Sequence, residues 1–101
     1  MKLIAETRSH PVRLVVSGDR IGELSMDIAV WLDHNGRQSG AGTLHGEPSL
    51  ISTALEEVDV EVNCAGERFN IVIDRILATR QARFELLDEV PEPLLGVWRA
   101  V

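Results

Sequence analysis

Between Ile21 and Asp33 apolar and polar positions alternate. Gly22, Leu24, Met26, Ile28, Val30 and Leu32 take every second place, and Glu23, Ser25, Asp27, Ala29, Trp31 and Asp33 stand between them. A two-residue period over a dozen positions predicts one long strand with a single buried face, because a helix would scatter those apolar residues around its axis. Turn chemistry brackets it. Ser17-Gly18-Asp19-Arg20 comes before and Asp33-His34-Asn35-Gly36 after, and Asn-Gly suits a tight hairpin because both residues tolerate positive φ. Val12, Leu14 and Val16 alternate ahead of the first turn, so 12–17 should pair with the long strand. Residues 37–46 should return beside it, and a short opening strand is expected near 2–7.

From Glu47 the period changes. Leu50, Ile51, Ala54, Leu55 and Val58 fall at helical spacing, with Pro48 placed for the first turn and Gly46 or Glu47 for the cap, which predicts a short helix near 48–57. Alternation then resumes. Val58, Val60, Val62 and Cys64 face one way against Asp59, Glu61 and Asn63, Ala65-Gly66 reads as a turn, and Phe69, Ile71 and Ile73 alternate on the return.

Residues 75–90 admit two readings. Ala82, Phe84 and Leu86 alternate with Arg83, Glu85 and Leu87 as in a strand, while Asp74 could cap a helix through Arg75-Ile76-Leu77-Ala78. The strand is preferred. Pro91 and Pro93 interrupt regular structure, leaving a C-terminal tail over 91–101 with Trp98 as its anchor.

The fold class expected is mainly β, an antiparallel meander forming a small barrel or sandwich with one helix near 48–57. It becomes α+β if 75–89 is helical. At 101 residues, 1–101 reads as a single domain.

Charge narrows the partners. The chain carries a net charge of −6, and an acidic surface repels phosphate backbones and anionic bilayers. Only four aromatics occur and none is Tyr, too few for a base-stacking platform. Neither a nucleic acid nor a membrane is expected as a partner. One cysteine, Cys64, excludes an internal disulfide. Glu6, Thr7 and Arg8 cut short the apolar start of the chain, so no signal peptide is read and cytoplasmic residence is the default.

Candidate motifs each meet a plainer reading. The glycine-rich run from Gly36 to Gly46 lacks the Lys-Ser or Lys-Thr of a phosphate loop and reads as an irregular edge strand with a bulge. His10, His34 and His45 show no ligand spacing with Cys64, so no metal site is expected. His34 and His10 are expected at the surface. Cys64 continues an inward apolar set, which favours a core thiol over a Cys-His nucleophile. Glu23 and Asp27 share one strand face, and Asp59 and Glu61 another, all read as solubilising charge. No catalytic residue and no cofactor are assigned. Arg75, Arg80 and Arg83, joined by Arg68, form the only basic stretch, with no acid between Arg75 and Phe84. They could hold a carboxylate or phosphate by forked hydrogen bonds.

In size and strand content the chain is similar to the bacterial PilZ barrels, which bind cyclic dinucleotides. That family's Arg-x-x-x-Arg has no counterpart, since Arg8 and Arg13 stand five apart, and its Asp/Asn-x-Ser-x-x-Gly is absent. The resemblance is one of class and implies no site residue.

The outward positions carry the remaining signal. Val15, Trp31, Val72 and Leu87 are apolar residues on the polar side of their strands. Either the 48–57 helix or the Trp98 tail covers them within the monomer, or they form a contiguous apolar patch, which marks an interface. The function expected is that of a small non-enzymatic β-domain working through protein contacts, as a homodimer or an accessory subunit. The alternative is a small-molecule, anion or nucleotide binder using 75–83.

Overall fold

The computed structural model describes residues 1–57 and 59–99. Val58, counted above with both the helix and the following strand, lies outside the described residues. The elements are β1 (Lys2–Val16), β2 (Asp19–Leu32), β3 (Gln38–His45), α1 (Pro48–Glu56), β4 (Val60–Cys64), β5 (Glu67–Ala78), β6 (Gln81–Leu86) and α2 (Glu92–Val97).

All strand pairs are antiparallel, and they close into a barrel in the order β1-β2-β3-β6-β5-β4. The architecture is mainly antiparallel β, as expected. The meander runs in two halves, β1-β2-β3 and β4-β5-β6, joined through α1. The apolar positions of 21–33 point inward as the alternation predicts, with Leu24, Met26, Ile28 and Val30 buried. Residues 75–90 are not helical: Arg75 to Ala78 extend β5, and Thr79-Arg80 turn the chain into β6.

Several expectations are corrected. The opening strand and 12–17 are one strand, β1, bent where its register with β2 shifts between Thr7 and His10. Ser9 adopts φ 51 there, the left-handed conformation that marks a bulge. The glycine-rich run is no bulged edge. β3 lies between β2 and β6 with no register shift on either side. Its glycines serve close packing instead: a Cβ on Gly40 would sit 2.6 Å from a Leu86 methyl. The tail holds a short helix, α2, started by the same prolines expected to prevent one, since proline suits the first helical turn.

β4 pairs with β1 only through Arg13 to Val16. Ahead of that point the free edge of β1 takes the chain after α2, where Trp98 accepts a hydrogen bond from the Glu6 N–H at 2.7 Å and Arg99 bridges Ala5. Trp98 thereby enters the core, 2% exposed, edge-on to both Phe69 and His10. It anchors the segment as the sequence predicts. α1 adds Ile51 and Ala54 to the same core.

Candidate functional site: the outer face of β2, β3, β6 and β5

The ladder registers set which outward residues stand side by side. Trp31 pairs with Ser39 across β2 and β3, and the β3–β6 register carries that row on to Leu87, just past the end of β6. The next outward row is Ala29, Ala41, Glu85 and Val72. Three of the four apolar residues singled out above therefore share one sheet face. Leu87 is 59% exposed and Val72 42%, while Trp31 is half-buried. Val15 is the exception. It lies outside the core cluster, between ladder partners Arg20 and Glu61, yet is only 5% exposed. Long neighbours of this kind close over a short side chain, so Val15 offers no surface.

A hollow of about 220 Å³ opens on the outer side of β1, β2 and β3. Its lining includes Ala29 and Ala41 together with Glu6, Arg8 and Asp27.

The face then turns polar. The bulge at Ser9 aims that residue's N–H at Asp27 Oδ1, 2.7 Å away. Asp27 Oδ2 lies 3.1 Å from His45 Nε2, and the Gln81 amide donates to His45 Nδ1 at 3.1 Å. With Nδ1 accepting, Nε2 carries the proton toward Asp27. A polar seam thus crosses β1, β2, β3 and β6. Asp27 is therefore a structural acceptor rather than the solvated charge expected. The Ser9 N–H, then His45 and Arg8, hold its carboxyl below the ordinary value of 3.8 against an opposing effect of burial.

The arginine stretch does not converge. Arg83 bonds both Asp74 and Glu85. Arg80 sits at the hairpin turn, 3.9 Å from Glu47 with both side chains 69% exposed. Arg75 is the ladder partner of Arg83, and Arg68 pairs with Glu61 on another part of the barrel.

Away from this face, His10 is half-buried rather than fully at the surface. It turns inward, with Nδ1 3.4 Å from the Cys64 sulfur and 2.9 Å from the Pro11 carbonyl oxygen. Cys64 is 1% exposed, and burial pushes its thiol pKa up, which keeps the sulfur protonated and inert. No short-range spacing in the sequence announces this pair, because its members are 54 positions apart.

Comparison with known protein families, curated proteins and solved structures finds no match to this chain. Among the described residues no helix is long and apolar enough to cross a membrane.

Proposed function

We propose that this is a non-enzymatic protein-contact barrel, and that the outer face of β2, β3, β6 and β5 seats a second copy of the chain. The observation that carries the reading is the pairing of a projection with a hollow. Trp31 and Ala29 are two residues apart on one strand face, about 7 Å, which sets Trp31 one outward position from a cavity whose lining includes Ala29 and Ala41. A two-fold axis between them lets each Trp31 enter the other copy's hollow, the self-complementarity an isologous interface requires. Leu87 and Val72 extend the apolar area along the same face. Four strands at roughly 4.8 Å spacing and seven residues of length give a footprint of about 400 Å² per copy, roughly 800 Å² in all, the size of a weak or transient contact.

Sedimentation velocity over a concentration series tests this. A monomer–dimer equilibrium is expected, weakened at least about tenfold by Leu87→Ser or Trp31→Ser. Ala41→Phe, which fills the hollow, should act likewise. Each copy carries −6, so added salt should strengthen the dimer. A chain that stays monomeric at about 100 μM, far above the dissociation constants of most specific dimers, overturns the proposal.

Small-anion binding at Arg75, Arg80 and Arg83 has weaker support, because Arg83 is already occupied by two carboxylates and Arg80 leans on a third.

A further inference from the structure

β5 outruns its neighbour. The β4–β5 ladder reaches only the Val60–Ile71 pair, whereas β5 continues to Ala78. From Asp74 to Ala78 the strand therefore has β6 on one side and, among the described residues, no ladder on the other. All five residues are exposed, including the adjacent aliphatics Ile76 at 42% and Leu77 at 46%. A strand edge of this kind presents unpaired N–H and C=O groups beside β-prone side chains, which is a template for one more strand.

Charge identifies the strand that fits. No acid interrupts the hairpin between Arg75 and Phe84. The acid before it, Asp74, is held by Arg83, and Glu85 beyond it bonds the same guanidinium. Arg75 makes no ion pair among the described residues. Among the described residues the one ion pair of Arg80 is the stretched, solvated one to Glu47. We infer that the β5 edge from Asp74 to Ala78 receives an extended acidic peptide as an added strand, with its carboxylates toward Arg75 and Arg80 and its aliphatic side chains against Ile76 and Leu77. Pairing this edge with its own copy is disfavoured, because a two-fold axis there sets Arg75 of each copy near the other. The register shifts between Ile73 and Arg75 and between Ile76 and Ala78 limit the docked stretch to a few residues, as bulges do on protected edges. This edge lies beyond Val72 on the same strand and shares none of the residues named for the dimer face.

The test uses the whole chain and a fluorescent peptide of about eight residues alternating Glu with Val, read by anisotropy and by hydrogen exchange. Binding with new protection of the 74–78 amides is expected, falling as salt is raised. A Lys-Val peptide, and a Glu-Val peptide N-methylated along its backbone, should bind at least about tenfold more weakly. Arg75→Glu should cost about tenfold, and Leu77→Pro, placed at the bulge, should abolish binding while circular dichroism stays native. Trp31→Ser should leave binding unchanged, which separates this result from the fate of the dimer. No binding of the Glu-Val peptide, or binding indifferent to Arg75→Glu and Leu77→Pro, overturns the inference. So does association with phosphatidylserine vesicles through this hairpin without peptide binding.

Discussion

Gly42 and Phe84 are ladder partners across β3 and β6, and a Cβ on Gly42 would lie 2.9 Å from Phe84 Cζ. The same Cβ would overlap the Asp27 carbonyl. The aromatic ring, fully buried, therefore occupies space that only a glycine leaves open.

Gly42→Ala is expected to destabilise the barrel by about 2–4 kcal/mol, since the obstruction on one side is backbone and cannot yield. Urea unfolding checks this. Gly66→Ala, whose Cβ meets nothing within 4 Å but whose φ is +83, should cost about 1 kcal/mol for its left-handed backbone alone.

Trp98 ties the last described turn to the core. Trp98→Ala should cost about 3–5 kcal/mol by thermal or urea unfolding. Trp98→Phe should cost much less than its lost volume implies. The indole Nε1 is buried with no hydrogen-bond partner among the described residues, and removing an unsatisfied donor recovers its desolvation penalty, about 1–3 kcal/mol.

Acid should weaken the polar seam. The carboxyl of Asp27 is lowered from 3.8 in the folded chain, so the folded state favours its ionised form. That contribution is present above the ordinary aspartate value and is lost as pH falls through the lower folded one. Asp27→Asn should therefore flatten stability against pH in that acid window, measured by urea midpoints. An unchanged profile would show that Ser9 and His45 do not hold the carboxylate.

Cys64 should resist alkylation. With the thiol 1% exposed and its pKa raised by burial, iodoacetamide at neutral pH should modify it only through unfolding, at least about a hundredfold slower than in urea. His10→Ala, which removes the ring beside the sulfur, should speed the reaction.

The strands with strict alternation, β2 and the β4–β5 hairpin, were legible in the chain because burial of one face writes a period of two. What escaped was non-local. Pairing of β3 with β6 rather than with an edge depends on partners 36 to 44 positions away, and the Leu86 and Phe84 side chains there, with the Ala29 and Asp27 carbonyls of β2, explain why 40 and 42 are glycines. The turn Thr79-Arg80 has no glycine or asparagine to announce it. Val15 sits on the predicted outer side, but its cover comes from partners on β2 and β4. Of the outer face, Trp31, Val72 and Leu87 could be named from alternation. Their common row required the register, and the seam through Asp27, His45 and Gln81 required four strands at once.

Two three-stranded sheets joined through α1 also make the chain divisible. Each half buries its apolar face only against the other, because β1 meets β4 and β3 meets β6 across the seam between them. Pieces covering 1–57 and 58–101 should each be unfolded alone and should complement one another when mixed. The barrel could then serve as a split reporter that assembles only when its two fragments are brought together.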